Sequence, residues 1–326
     1  MREDSLTRRQ FSTVLAVFPS SASAQIAQIA ALPIARSISI PVGKDSFVQH
    51  AHTAGSDVYL LVHNKRTRAN SIWHFDAKRA LSSFVADLPL DRWYSAFEAG
   101  DSGRFVLLSQ SRYGPPSKIE ITGSGKLLRD QPAPAMGVNV SWVGLHRGRV
   151  LFVDDQAGQT SLFMLTETGA ARIAPLGPGR RITSYFRTGP DELLLIDQHD
   201  AYMASVDLAG KRLAQTTINS EEIIEARRFF ASRDKAHGSS AFLVGAHGRT
   251  PRGNLLCLVN PVVRSEGARL IAVDVSGTVL RHIRLELLPA EERPGLPKQV
   301  VFDGSDISLI YANGMVDRYK AEVMNE

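Results

Sequence analysis

Residues 191–213 read Asp-Glu-Leu-Leu-Leu-Ile-Asp-Gln-His-Asp-Ala-Tyr-Met-Ala-Ser-Val-Asp-Leu-Ala-Gly-Lys-Arg-Leu. Four consecutive apolar residues, Leu193–Ile196, lie between turn formers. That pattern predicts a short strand buried on both faces. A polar turn and a second strand follow. The second strand ends at Gly210, in a tight turn where positive φ suits glycine because a Cβ would clash. Helical hairpins would require longer apolar runs, and these are short, rich in β-branched residues and interrupted by glycine.

The glycine-turn unit recurs at Ile119–Leu128 around Gly123 and Gly125, at Phe163–Arg172 around Gly169, and at Ile271–Leu280 around Gly277. Trp73–Leu81 is a further copy without its glycine. Short apolar strands precede the copies at Val58–Val62, Phe105–Leu108, Val150–Val153 and Leu255–Val259, and a last one is Ile307–Tyr311. With Leu193–Ile196 they make six. Repetition of strand, turn, buried strand, loop, strand, glycine turn and strand predicts an all-β, six-bladed β-propeller. The last unit has Gln299–Phe302, Ile307–Tyr311 and Met315–Tyr319 but no outer strand. Ser37–Val42 is a strand without a blade. It is expected to complete the last blade and close the ring, removing an exposed edge.

Gly210 and Gly277 are 67 residues apart, against 44 and 41 for the two preceding glycine pairs. Blade five therefore carries an insertion, placed within 220–240, where Glu221–Phe230 reads as a short amphipathic helix. A seventh blade in this segment is the alternative. The layout resembles six-bladed propellers of the NHL-repeat and regucalcin-like group. The resemblance covers most of the chain but lies in the blade pattern alone, and it carries no functional residue with it.

The first 24 residues differ from the rest. Thr7-Arg8-Arg9-Gln10-Phe11 precedes a modest apolar stretch, Val14–Phe18, then Pro19 and the small-residue end Ala22-Ser23-Ala24. Charged start, apolar middle and Ala-x-Ala end are the parts of an export signal. The Thr-Arg-Arg-x-Phe core resembles a bacterial twin-arginine leader, although Ser12 and Thr13 stand where Leu and Lys are usual. The expected organisation is a signal peptide over 1–24 and one propeller over 25–326, periplasmic or secreted and monomeric.

Composition narrows the function classes. The chain has 326 residues, 44% hydrophobic and 22% charged, with a net charge of +5 and one cysteine, Cys257. An internal disulfide and a cysteine-rich metal cluster are excluded. No run of about 18 apolar residues suggests a membrane span. Arg227, Arg228, Arg233, Lys235, Arg249 and Arg252 make the insertion region basic. Export removes nucleic acid as its partner.

Propeller ligands gather at a mouth of the central channel. The expected innermost strands are Phe47–His52, Tyr94–Glu98, Asn139–Leu145, Thr183–Arg187, Phe242–Ala246 and Gln299–Asp303. Their polar residues give the candidate ligand-binding set His50, His52, Glu98, Asn139, Arg187, His247 and Asp303, with Gln49 and Ser141 beside them. His50 and His52, two apart, share one strand face. They could hold a divalent cation with Glu98, Asn139 or Asp303. The regucalcin resemblance implies Glu, Asn and Asp ligands from several blades. Asp154-Asp155 and Asp197–Asp200 could hold calcium or cap turns, and turn capping is preferred. No nucleophile elbow, phosphate loop or dinucleotide fingerprint is present. Catalytic residues stay unassigned. The expected function is an exported module binding a small molecule or a protein; a metal-dependent hydrolase or lactonase with its ion in the channel is the alternative.

Overall fold

A computed structural model describes residues 31–54, 57–88, 92–100, 103–110, 116–132, 140–166, 169–237, 242–250, 252–263, 267–288 and 297–321. The leader segment lies outside the described residues. The first strand is β1 (Arg36–Ser39). Blade one holds β2 (Ser46–Ala54), β3 (Asp57–Asn64), β4 (Asn70–Asp76) and β5 (Leu81–Asp87). Blade two holds β6 (Trp93–Ala99), β7 (Arg104–Gln110), β8 (Ser117–Thr122) and β9 (Leu127–Pro132). Blade three holds β10 (Val140–His146), β11 (Arg149–Gln156), β12 (Gln159–Thr166) and β13 (Gly169–Gly177). Blade four holds β14 (Ser184–Arg187), β15 (Glu192–Asp197), β16 (Tyr202–Asp207) and β17 (Arg212–Thr217). The helix α1 (Glu221–His237) follows. Blade five holds β18 (Val244–Arg249), β19 (Leu255–Val263), β20 (Gly267–Val273) and β21 (Val279–Leu285). Blade six holds β22 (Pro297–Phe302), β23 (Asp306–Tyr311) and β24 (Met315–Lys320), with β1 paired antiparallel to β24 as its fourth strand.

The continuous apolar runs form the second strand of each blade, and the packing explains their composition. In β15, Leu193 and Leu195 join a core shared with Leu151 and Leu162 of blade three. The alternate residues, Leu194 and Ile196, join Leu255 and Cys257 of blade five. The strand has no polar face because a neighbouring blade covers each side. Each such leucine contributes about 2 kcal/mol on leaving water.

Among the described residues there are six sheets. The segment where a seventh blade was the alternative carries α1 instead, seventeen residues long where a shorter helix was expected. The Ser220 hydroxyl caps it, accepting the Ile223 N–H at 3.2 Å. Ile223 and Ala226 are buried in the core between blades four and five. Glu222 pairs with His282 at 2.6 Å, and Glu225 pairs with Arg269, both partners lying in blade five.

The glycine turns adopt the expected geometry: φ is +102° at Gly210 and +87° at Gly277. In the copy without a glycine, Ala80 takes the strained position with φ of 56°. Ala80→Gly is therefore expected to raise stability by about 0.5–1 kcal/mol. Denaturant unfolding of the two proteins tests this, and a less stable variant would contradict it.

Candidate functional site

The first strand of each sheet is the innermost. These strands pack on one another around the ring, β18 against β22, β22 against β2, β2 against β6, β6 against β10 and β10 against β14. At one end of the channel the inner strands finish and turn into the second strands. Three arginines stand at this turn face: Arg147 just after β10, Arg187 ending β14 and Arg249 ending β18.

Glu98, near the end of β6, anchors the group. It is buried, and its Oε1 accepts the Arg147 N–H at 3.0 Å while Oε2 accepts the Gly148 N–H at 2.9 Å. Arg147 and Gly148 have φ of 50° and 72°, both in the left-handed region. Their tight turn aims two amides at the carboxylate. Arg187 Nη2 adds a charge-assisted bond to Oε1 at 3.2 Å. One carboxylate thereby joins blades two, three and four. Glu98→Ala strands the two turn amides and is expected to cost about 2–3 kcal/mol. A thermal unfolding midpoint equal to that of the native protein would contradict this role.

His52 stands beside the group. Its ring lies 5.9 Å from that of Phe97, and its pKa is pulled down to about 4 by burial and then by the Arg187 charge. His50 is lowered to about 4 as well, by burial and then by Lys298 of β22. The two histidines thus answer to different cations. His146, which ends β10, is 2% exposed, and neither of its ring nitrogens has a hydrogen-bond partner. Burial, then Arg187 and Arg147, hold its pKa at about 4, with Asp191 opposing and Arg149 adding to the shift. Tyr185 of β14 packs where a Cβ on Gly144 would stand. Burial and the Glu98 charge push its phenol upward.

His247 lies further from the turns. Its Nε2 is 2.6 Å from Ser184 Oγ across the blade four–five boundary, and its ring meets Phe186 edge-on. Its Nδ1 is buried without a partner, so no carboxylate orients the imidazole as a catalytic triad requires. Asp303 is held apart from the arginines. Its Oδ1 accepts the N–H groups of Ser305 and Asp306, and its Oδ2 accepts Arg318 at 3.1 Å. It borders a groove of about 590 Å³ with Lys78 and Lys320, not the histidine and arginine group. Gln49 sits at a bulge in β2 and donates to the Tyr94 carbonyl. Ser141 lies in β10. Asn139 falls outside the described residues.

The structure thus gathers His52, Glu98 and Arg187 and sets Asp303 apart. It adds His146 and Arg147, which lie just beyond the expected inner strand Asn139–Leu145. The available signal was the arginine recurring at the ends of three successive inner strands. Among the described residues, no three His, Cys, Asp or Glu side chains come together in a metal-holding group. Asp197 acts in a turn, accepting the N–H groups of His199 and Arg181. Cys257 is buried, and burial raises its thiol pKa.

The four histidines at about 4 give stability a pH dependence. In the unfolded chain each would titrate near 6.5. Between pH 6.5 and 4 the unfolded state therefore binds more protons, so stability falls as pH falls through that window. Lowering the pH from 7.5 to 5 is expected to lower the thermal midpoint by roughly 5 °C or more. Calorimetry at the two pH values checks this, and a higher midpoint at pH 5 would contradict it.

No family model matches the chain, and no curated protein matches its sequence. Among solved structures, the chain is similar to a catalytically inactive virginiamycin B lyase from Staphylococcus aureus with quinupristin. The two are 9% identical over 87% of this chain and 98% of that one, with a TM-score of 0.52. A streptogramin B lyase (10% identity, 87% and 86% coverage, TM-score 0.47) and a WD40 β-propeller domain (10%, 91% and 99%, 0.45) are also similar. At 9% identity the first of these likenesses shows the fold alone. No helix among the described residues is long and apolar enough to cross a membrane.

Proposed function

We propose that this chain is an exported, monomeric β-propeller that binds a small ligand at the turn-face mouth of its channel. The observation that supports this best is the convergence of His52, Glu98, His146, Arg147 and Arg187 from four successive blades. The chain devotes buried polar side chains to one mouth, where burial without full pairing is costly. Export rests on the paired Arg8-Arg9, the apolar stretch and the Ala-x-Ala end. The metal-dependent hydrolase is less well supported. Both Glu98 oxygens already accept amide hydrogens, and the surrounding guanidinium groups repel a cation. Among the described residues the regucalcin-type ligand set has no counterpart gathered here, since Asp303 is committed to Arg318 and its own turn.

A thermal-shift screen against neutral, cationic and anionic small molecules tests the site. Some compound should stabilise the native protein and lose its effect in a His52→Ala, Arg187→Ala double variant. If every stabilising compound acts equally on both proteins, the mouth is not the site. For export, replacing Arg8-Arg9 by lysines should hold the protein in the cytoplasm, and unchanged secretion would refute the twin-arginine route.

A further inference from the structure

We propose that the group recognised at the mouth is an oxyanion, a carboxylate or phosphate carried by a small ligand. It would lodge among the guanidinium groups of Arg187 and Arg147 and the imidazoles of His146 and His52, and its binding would draw protons onto the histidines. This inference rests on the reading of the mouth as the ligand site.

The charge balance carries it first. Arg147, Arg149 and Arg187 surround His146 beside two carboxylates, Asp191 and Glu98, which pair with Arg147 and Arg187. Glu98 divides its charge among two amides and Arg187. The Arg147–Asp191 pair, 3.1 Å long, has side chains 51% and 68% exposed, so it holds Arg147 weakly. Arg187 is 45% exposed and carries five N–H donors, of which Glu98 takes one. A planar fork with open donors suits carboxylate and phosphate oxygens.

His146 is the second, independent observation. A neutral imidazole has one donor and one acceptor nitrogen, and here both are buried without a partner. A cation entering the mouth would meet the same repulsion that already disfavours imidazolium. An oxyanion would reverse that field. It would accept from the ring N–H, oppose the charges of Arg187, Arg147 and Arg149, and add to that of Asp191. The imidazole would then take up a proton and donate from both nitrogens. His52, lowered by the same Arg187, would respond in the same direction.

The test is calorimetric titration of the full-length mature chain with sulfate and with lactate, at pH 5.5 and 7.5. Both probes keep a constant charge across that range. Sulfate stands for a phosphate and lactate for a carboxylate, so their relative affinities separate the two sources. At least one should bind with proton uptake, seen as a buffer-dependent heat, and about tenfold more tightly per proton taken up for each pH unit lowered. Arg187→Gln should weaken binding tenfold or more, and His146→Gln should flatten the pH dependence. Arg92→Gln, whose guanidinium pairs with Asp130 in blade two, should leave binding unchanged. Equal anion binding by Arg187→Gln, or none by the native protein, would overturn the proposal. A neutral compound whose binding depends on His52 would overturn the oxyanion while sparing the mouth. No compound at the mouth would remove both.

Discussion

Gly248→Val is expected to cost about 4 kcal/mol or more and to leave little folded protein at 37 °C. Gly248 lies in β18, where a Cβ would fall onto the carbonyl oxygen of Val300 in the facing inner strand β22. The obstacle is backbone, so no rotamer change relieves it. The two inner strands would have to separate, and the core of Leu256, Leu258, Leu270, Val300 and Leu309 behind them would open. Gly158→Ala is the comparison: its φ is +77°, but nothing lies within 4 Å of its added Cβ. That substitution should cost only about 1 kcal/mol. Similar unfolding midpoints for the two variants would contradict the close approach of blades five and six.

Deleting residues 31–39 is expected to cost about 5 kcal/mol and to make the protein self-associate. The segment ties two blades together. Leu32 exchanges backbone hydrogen bonds with Arg284 and Glu286 at the end of blade five. Its β1 then pairs with β24, with Ser37 facing Asp317 and its hydroxyl donating to that buried carboxylate at 2.5 Å. Leu32 and Ile34 pack against the blade five–six core, and Ile38 packs against the blade six–one core. The deletion strands Asp317 and bares the β24 edge. A synthetic peptide of residues 31–42, added in trans, should restore the midpoint and the monomer. A truncated chain that stays monomeric with an unchanged midpoint would contradict the account.

The architecture was legible because its signals are local. A strand covered by a blade on each side must be apolar throughout, so Leu193–Ile196 and Ile307–Tyr311 identify themselves in a single sequence. The turn at Asp207–Gly210 is equally local: the Asp207 carboxylate accepts the Ala209 N–H and Gly210 supplies the positive φ. Ala80 shows the limit of that signal, since a positive φ occurs in the Asp76–Leu81 turn without a glycine to mark it. The helix α1 runs on from Phe230, where the expected helix ended, to His237.

The candidate site was legible only in part, because it is made between blades. Residue type and strand position pointed to His52, Glu98 and Arg187. They also pointed to Asp303, whose position relative to its strand is similar but whose side chain is taken by the Ser305 and Asp306 amides and by Arg318. The sequence does not state which carboxylate receives a neighbouring turn's amides. His146 was missed because its meaning lies in the absence of hydrogen-bond partners, a property of packing.

The most direct measurement is a diffraction structure of the protein holding the small molecule that stabilises it most in the thermal-shift screen. The account predicts that molecule at the turn-face mouth, with a polar atom within hydrogen-bond distance of Arg187 and of His146 or His52. Density instead in the Lys78–Lys320 groove, or on the outer strands, would contradict it.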